Sequence, residues 1–382
     1  MLSPDVVVAG GGVIGLLTAR ELAAGGAGVL VLERGRVGSE SSWAGGGILS
    51  PLYPWRYPGA VNALAAWSQI QYPALCDLLA RRGPDPEWTP SGLLVLDLEE
   101  EETERALAWG RAYEGLRAPW LEGAGGPWVA RCTADGPPCR VPGLAGGARG
   151  ALWLPGVAQL RNPRFMAALR REVAAAGVEI REGVALRGIR VEGGRLAGVD
   201  TDLGRLDAGA CVVAAGAWTG GLLESVGGPA LPVAPVKGQM ILFAPCPGLL
   251  EHVVLAGGRY LIPRRDGRIL AGSTLEPGGF DKTVTREARH DLAAFARALL
   301  PALGDVPVER QWAGLRPGSP RGIPFIGPHP GVAGLFVNAG HYRNGFTLAP
   351  ASARLAADLV LGRPPLLDPA PYRWAPAAGH AA

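Results

Sequence analysis

The feature that most constrains this chain is a glycine-rich turn between an apolar run and a helical pattern. The turn has the spacing Gly10-x-Gly12-x-x-Gly15, follows the run at 5–9 and opens the helical pattern at 13–24. Gly10 allows a tight turn, Gly12 lets a pyrophosphate approach the backbone, and Gly15 lets the helix lie close on the sheet. Because the N-terminus of a helix attracts anions, the turn predicts a phosphate-binding site.

An acidic residue strengthens this interpretation. A second apolar run, Val29-Leu-Val-Leu32, ends on Glu33, where a carboxylate can accept hydrogen bonds from an adenosine ribose. The turn alone is weak evidence, because glycine-rich turns are common and the chain has 58 glycines. The order strand, glycine turn, helix, strand, acid is more specific, and it predicts a Rossmann-type dinucleotide-binding unit.

Charge and cysteine usage exclude several other classes of protein. With 37 basic and 34 acidic residues the net charge is only +3, and no basic block indicates a nucleic-acid partner. The five cysteines form no CxxC pair, so neither a disulfide framework nor a metal site is expected. Cys132 and Cys139 lie close in a Pro/Gly-rich stretch, and whether they pair is left open, two unpaired thiols being the simpler alternative.

The chain shows no sign of membrane insertion or export. No apolar stretch reaches about 18 residues without polar interruption, so no integral membrane segment is expected. The N-terminus has no charged leader before the first apolar run, which predicts a cytoplasmic protein.

Strand and helix patterns alternate along the rest of the chain. Asn162-Pro163 is expected to cap and open a helix that ends at Gly177, and a hairpin is predicted over 260–271 around Asp266-Gly267. Further helices are predicted at 61–79, 285–300 and 350–361.

A second glycine-bearing turn lies near the C-terminal end. Gly340 and Gly345 flank the segment between an apolar strand, 335–340, and the predicted closing helix. A large cofactor can be held at one end by the N-terminal turn and at the other by this helix start. The helix dipole would stabilise negative charge on a ring such as a reduced flavin. Ordinary loop glycines are the alternative interpretation.

Eight segments carry a resemblance to a known family: Val8–Gly15, Leu32–Arg34, Ser41–Leu49, Val212–Trp218, Pro235–Gln239, Tyr260–Arg264, Trp312–Gly318 and Gly340–Gly345. The chain resembles the D-amino acid oxidase superfamily of flavoproteins and, within it, the FAD-dependent glycine oxidases of thiamine biosynthesis. The resemblance runs from Val6 to about Leu361. Its first segment is shared by most flavoproteins with this fold, whereas the last two segments together are more specific to amino acid and amine oxidases.

The resemblance implies an α/β flavoprotein with two domains. A Rossmann-type FAD-binding domain would comprise residues 1–80, 140–220 and 331–382. A substrate domain built on a mixed sheet would comprise residues 81–139 and 221–330.

The resemblance also implies one FAD, bound without a covalent bond. The cysteine that sarcosine-oxidase relatives use for covalent attachment has no counterpart between Arg316 and Gly340. The cofactor-binding residues implied are Gly10, Gly12, Val13, Ile14, Gly15, Glu33, Arg34, Ser41, Ser42, Gly46, Gly47, Ile48, Val184, His341, Tyr342, Arg343, Asn344, Gly345, Phe346 and Thr347.

Three residues occupy positions that the family uses for the substrate carboxylate: Tyr260, Arg316 and Arg343, the last of which is also among the cofactor-binding residues. A planar guanidinium makes two parallel hydrogen bonds to a carboxylate, and a phenol adds a third donor. Arg316 stands in an apolar setting without a neighbouring acid in the sequence. The alternatives are structural ion pairs for the arginines and a core position for the tyrosine.

The predicted pocket wall consists of Ile48, Leu255 and Leu275. By alignment with the better-known glycine oxidases, Leu255 and Gly258 stand where that pattern has a tyrosine and a histidine, and Leu275 replaces a methionine. These changes keep a small apolar pocket but leave the preferred amine open.

The implied reaction is the oxidative deamination of glycine and other small amino acids, such as sarcosine and small D-amino acids. Its products are an imine or 2-oxo acid, ammonia and, with dioxygen as oxidant, hydrogen peroxide; the glycine imine would supply thiazole synthesis. No side-chain base is needed, so His341 is expected to position the flavin. A homo-oligomer is expected.

Two alternatives stay open. One is a D-amino acid or amine dehydrogenase that passes electrons to a quinone. The other is a non-catalytic flavoprotein subunit, which the presence of both arginines and Tyr260 disfavours.

Overall fold

A computed structural model of the chain describes residues 4–113, 128–133, 141–145 and 151–374. The helices in these residues are α1 (Val13–Ala24), α2 (Ser41–Ala44), α3 (Gly59–Ala80), α4 (Glu100–Ala112), α5 (Asn162–Ala175), α6 (Thr219–Glu224), α7 (Arg286–Leu299) and α8 (Gly345–Val360). Within the described ranges, no helix combines the length and the apolar character needed to cross a membrane.

The strands are β1 (Val6–Ala9), β2 (Val29–Glu33), β3 (Leu93–Val95), β4 (Ala130–Cys132), β5 (Ala151–Leu154), β6 (Glu179–Glu182), β7 (Leu186–Glu192), β8 (Arg195–Thr201), β9 (Gly204–Leu206), β10 (Ala210–Val213), β11 (Ala234–Phe243), β12 (Val253–Ala256), β13 (Arg259–Pro263), β14 (Ile269–Gly272), β15 (Glu276–Pro277), β16 (Val308–Gly318), β17 (Phe325–Pro328) and β18 (Leu335–Ala339). They form sheets of six, nine and three strands. The predicted α/β class is therefore confirmed.

The six-stranded sheet has the order β17-β18-β10-β1-β2-β6, and every pair except β17–β18 is parallel. Its central strands read as continuous apolar runs because both of their faces are buried. One face packs on α1, α5 and α8, and the other on the three-stranded sheet β7-β8-β9 and on α6. The carboxyl ends of β1, β2 and β10 meet at one edge, where α/β sheets bind ligands.

The nine-stranded sheet is mixed and has the order β15-β11-β14-β13-β12-β3-β5-β4, with β16 paired to β11. The long antiparallel pair β11–β16 sets Val236 opposite Arg316 and Gly238 opposite Gly314. The hairpin predicted over 260–271 is confirmed as β13 and β14. One face of this sheet packs on α7, and part of the other face lies against the cavity described below.

Two helix starts differ from the prediction. Asn162 is not a cap: it is the first helical residue of α5, and its amide donates to the Ser42 carbonyl at 3.0 Å. Helix α8 begins at Gly345 and contains Pro350, which was expected to open it. A proline within a helix cannot donate to the carbonyl four residues before it. Here that carbonyl, of Phe346, accepts a hydrogen bond from the buried Tyr72 hydroxyl instead.

The proposed domain boundaries stay a prediction. The two large sheets fall on different parts of the chain, but β5, at Ala151–Leu154, pairs with β3 and β4 in the nine-stranded sheet. The predicted boundary at residue 140 assigns β5 to the other domain. Cys139 lies outside the described residues, so the question of a pair with Cys132 is not tested.

Candidate active site

A cavity of about 470 Å³ lies between the two large sheets. This volume is within the range of small-molecule and cofactor sites. At one end, the nucleotide end, it is lined by the turn at Gly10 and Gly12 and by Glu33. At the other, the arginine end, it is lined by Tyr260, Arg316 and Arg343.

The turn at the nucleotide end has no room for side chains at two of its glycines. Gly10 has φ +119°, in the region that favours glycine, and a Cβ there would collide with the Ala214 carbonyl oxygen. A Cβ at Gly15 would collide with the Gly10 carbonyl oxygen. The sequence pattern therefore reflects a real steric limit, which brings the start of α1 close to the carboxyl ends of β1 and β10.

Glu33 organises the backbone around the nucleotide end. Its two carboxylate oxygens accept the Gly11 and Gly35 amides, each at 2.8 Å. Each oxygen keeps a second lone pair that can accept a hydrogen bond from a hydroxyl in the cavity. Ser42 faces the same region and accepts the Val13 amide at 3.0 Å, at the first turn of α1.

Between the two ends, α8 begins against the cavity without a side-chain cap. Its free amide groups and positive dipole end therefore face the cavity beside Gly345, Phe346 and Thr347. The Thr347 hydroxyl donates to the Ile48 carbonyl at 3.2 Å, which fixes the opposite wall.

His341 lies just before α8 and is buried in the cavity lining. Burial lowers its pKa to about 3, so the imidazole is neutral at physiological pH. Its Nε2 atom has no hydrogen-bond partner among the described residues. A buried polar atom without a partner is unfavourable, and a bound molecule in the cavity can satisfy it.

Arg316 is the central group of the arginine end. Its guanidinium donates to the carbonyls of Lys237 and Thr274, both at 3.3 Å, and to the Ser273 hydroxyl at 2.7 Å. Gly238 makes room for it, since a Cβ there would collide with the guanidinium. Burial lowers the pKa of Arg316, and the nearby charge of Arg343 lowers it further.

The arginine end has an excess of positive charge. In the described part of the chain, no carboxylate lies within 4.0 Å of Arg316 or Arg343. Within the described ranges, the hydrogen bond of the Arg343 guanidinium is a long one, 3.4 Å from its Nη2 atom to the Gly258 carbonyl. Two guanidinium groups that no carboxylate neutralises in the described part of the chain, and the Tyr260 phenol, face one cavity. This arrangement is suited to a carboxylate ligand.

Most of the predicted site residues line this one cavity. They are Gly10, Gly12, Val13, Ile14, Glu33, Arg34, Ser41, Ser42, Gly46, Gly47, Ile48, Tyr260, Arg316, His341, Tyr342, Arg343, Gly345, Phe346 and Thr347. Gly15, Val184 and Asn344 lie behind the lining. The Val184 amide donates to the Glu33 carbonyl at 3.0 Å, so only its carbonyl is left for a ligand.

Two of the three predicted wall residues do not line the cavity. Leu255 is fully buried on β12, which lies further along the sheet from β11 and β16 than the Tyr260 strand, and it does not reach the cavity. Leu275 is 50% exposed, because the neighbouring Thr274 turns inward to bond the Gln239 amide. The apolar wall consists of Ile48, Leu52 and Met240.

The sequence reasoning assigned no role to several lining residues. Trp218 ends the short helical turn Gly216–Trp218 that follows the buried strand β10, and this position beyond the carboxyl end of a buried strand is a usable signal. Met240 and Ser273 reach the cavity only through the pairing of β11 with β14 and β16. Phe280 lies in a loop that no pattern connects to the site.

Comparison with known proteins identifies the cofactor class. The family described as FAD dependent oxidoreductase matches residues 5–359. The chain belongs to this family. The cavity fits FAD: its glycine turn leaves room for a pyrophosphate, two helix starts face it, and His341 offers an unpaired nitrogen. No group of three or more His, Cys, Asp or Glu side chains in the described ranges could hold a metal ion.

Individual relatives cover nearly the whole chain. A glycine oxidase of Pseudomonas aeruginosa is 53% identical over 374 residues, which are 97% of this chain and 98% of that protein. The bifunctional protein ThiO/ThiG of a Synechocystis species is 33% identical over 364 residues, 94% of this chain and 51% of that protein. The crystal structure of glycine oxidase from Geobacillus kaustophilus has a TM-score of 0.86 and 33% identity, and the match covers 97% of this chain and 98% of that one.

Proposed function

We propose that this FAD-dependent oxidoreductase catalyses the oxidative deamination of glycine and of other small amino acids, including sarcosine and small D-amino acids. The observation that carries the proposal is Arg316, a half-buried guanidinium that lines the cavity and that, among the described residues, is hydrogen-bonded to neutral groups rather than to a carboxylate. A cation that is partly removed from water without a carboxylate partner is expected to bind an anion. The identity of the relatives named above supports an amino acid as the source of that anion.

Arg316, Arg343 and Tyr260 would bind the substrate carboxylate. Arg316 is aligned before substrate arrives, because three acceptors fix its plane. Binding the carboxylate at these donors orients the rest of the amino acid toward the middle of the cavity. Orientation of this kind is a large part of catalysis when no covalent chemistry falls to the protein.

The apolar wall supports a small substrate. Ile48, Leu52 and Met240 lie in one apolar cluster with the Tyr260 ring. These side chains exclude water around the Cα of a bound amino acid, and they leave little space for a bulky substituent. An amine without a carboxylate would leave two guanidinium groups unpaired and is expected to react poorly.

FAD, when bound, accepts the two electrons removed from the amine. His341 cannot act as a strong base in this step, since burial lowers its pKa to about 3. It is suited instead to hold a fixed hydrogen bond to the cofactor through Nε2. The resulting imine would be hydrolysed to the 2-oxo acid and ammonia, or would supply thiazole synthesis, a role that the ThiO/ThiG relative supports.

Four further features belong to this proposal: dioxygen as the oxidant, with hydrogen peroxide as product; non-covalent attachment of FAD; a cytoplasmic location; and a homo-oligomeric state. Acid precipitation tests the attachment, because non-covalent flavin appears in the supernatant and covalent flavin stays in the pellet.

A kinetic panel tests the proposed substrate class. Purified holoenzyme is assayed for peroxide with glycine, sarcosine, D-phenylalanine and benzylamine. We expect glycine and sarcosine to give the highest kcat/KM. Benzylamine or D-phenylalanine outpacing both small amino acids would refute the pocket argument. Turnover of glycine with a quinone but without peroxide in air would favour the dehydrogenase alternative.

A further inference from the structure

An exposed aromatic residue stands at the rim of the cavity. Phe280 belongs to the strap, residues 278–284, which joins β15 to α7. Its side chain is 51% exposed and yet lines the cavity. A single exposed aromatic residue is not unusual, but Phe280 also takes part in a specific contact at the rim.

That contact is a stack of three side chains. The Phe280 ring lies on the Trp218 ring with centroids 5.3 Å apart and an angle of 25° between planes. The Arg34 guanidinium lies 3.7 Å from the centroid of the same Trp218 ring. All three side chains line the cavity, and Arg34 directly follows Glu33. We call Arg34, Trp218 and Phe280 the rim stack; it lies at the nucleotide end.

An ionic contact connects the strap to the same rim. Glu40 lies 2.9 Å from Lys282 of the strap and 3.4 Å from Arg34. Arg34 is therefore linked to the strap twice, once through the Trp218 and Phe280 rings and once through Glu40. Lys282 and Glu40 are both partly exposed, so salt screens this second contact.

The strap has little else to hold it at its tip. Gly278 and Gly279 have φ of +123° and +51°, and no atom lies within 4 Å of a Cβ placed on Gly278. At the far end, Lys237 donates to the Thr283 carbonyl at 3.2 Å, and Asp281 accepts the Thr283 amide at 2.9 Å. The tip is therefore fixed to the rim mainly by side chains, and glycines precede it where the backbone can rotate.

We propose that the rim stack and the Glu40–Lys282 pair close the nucleotide end of the cavity over FAD, and that Phe280 limits the rate at which FAD leaves. The stacked rings and the guanidinium on the Trp218 ring each stabilise the closed arrangement modestly. The Glu40–Lys282 ion pair adds a further small stabilisation that decreases as the salt concentration rises. This function concerns cofactor retention, and it holds whatever amine the enzyme oxidises.

The test is the dissociation rate of FAD from the holoenzyme, followed as the rise in free flavin fluorescence after dilution. Phe280→Ala should release FAD about tenfold faster than the wild type, because it removes the ring contact. Phe280→Tyr keeps the ring and should restore the wild-type rate. Leu275→Ala is the matched control: Leu275 precedes the strap, is equally exposed at 50% and does not line the cavity.

A second variant tests the ionic contact independently. Lys282→Gln should release FAD about threefold faster at low salt and should lose most of the salt sensitivity of the wild-type rate. Release from Phe280→Ala at the wild-type rate would overturn the proposal. Equal acceleration by Leu275→Ala would overturn it too, because the effect would then come from general loosening of the segment rather than from the stack.

Discussion

At the nucleotide end of the cavity the glycine turn offers mainly backbone groups to a ligand, whereas at the arginine end the binding groups are side chains. Gly10, Gly15 and the start of α1 form a surface shaped by the absence of side chains. Arg316, Tyr260 and Arg343 instead project from β16, β13 and the turn before α8. The first surface suits a constant ligand, the cofactor, and the second can be changed residue by residue to suit a substrate.

The two ends of the cavity also differ in the sign of the charge that their side chains carry. The nucleotide end has the carboxylate of Glu33, which accepts hydrogen bonds from two backbone amides, each 2.8 Å away. The arginine end has two guanidinium groups and no carboxylate within 4.0 Å among the described residues. The comparison therefore predicts that changes at one end affect FAD binding and changes at the other affect substrate capture.

The largest expected effect is at the nucleotide end. Gly10→Ala places a Cβ against the Ala214 carbonyl at φ +119°, so both strain and overlap disfavour the turn. Together they should weaken FAD binding by about 4 kcal/mol, or roughly 1000-fold. Titration of apoprotein with FAD measures this. Gly59→Ala, in α3 with nothing within 4 Å, is the control. If Gly10→Ala binds FAD with wild-type affinity, the glycine turn does not contribute to cofactor binding.

A smaller effect is expected at the arginine end, and on a different quantity. Arg316→Ala should keep its FAD and lose about 2–4 kcal/mol of transition-state binding, roughly 30- to 1000-fold in kcat/KM for glycine. Arg316→Lys should recover only part of this, because lysine lacks the planar fork. Arg310→Ala, an exposed position on the same strand β16, is the matched control. Loss of FAD from Arg316→Ala would contradict the assignment of FAD binding to the nucleotide end and of substrate capture to the arginine end.

His341, between the two ends, should make stability depend on pH. Burial lowers its pKa to about 3 in the folded state, against about 6.5 when unfolded. Below pH 6.5 the unfolded chain takes up the proton first, so this contribution is complete above pH 6.5 and is lost as the pH falls toward 3. Between pH 6.5 and 5 the loss is about 2 kcal/mol.

Denaturation of the FAD-saturated protein at several pH values measures this. His341→Gln cannot titrate, and its free energy of unfolding should fall less than that of the wild type over the same interval. Parallel curves for the two proteins would contradict a neutral, buried His341.

The nucleotide end could be predicted from sequence because its signals are local. The helix predicted at 13–24 and the strand ending on Glu33 are confirmed as α1 and β2. The steric limit at Gly10 comes from Ala214, which is distant in the chain. The requirement for glycine is nevertheless visible in the sequence, because no other residue fits at that position. The resemblance to flavoproteins and the FAD cofactor are likewise confirmed by the family match.

The arginine end could be predicted only in part. Arg316 and Tyr260 were selected by resemblance to a family, since no spacing brings β13 and β16 together. Leu255 and Leu275 do not line the cavity as predicted, because the order of strands in the sheet decides which side chains reach it. The start of α8 was missed because Tyr72, far away in the chain, satisfies the carbonyl that Pro350 leaves free.

The most direct test of the account compares glycine with methylamine in two proteins. The two amines differ by the carboxylate, and wild type and Arg316→Ala differ by the guanidinium proposed to bind it. We expect wild type to prefer glycine strongly in kcat/KM and Arg316→Ala to lose roughly 30-fold or more of that preference, with methylamine turnover little changed. An equal loss for both amines, with the preference for glycine intact, would contradict carboxylate recognition by Arg316.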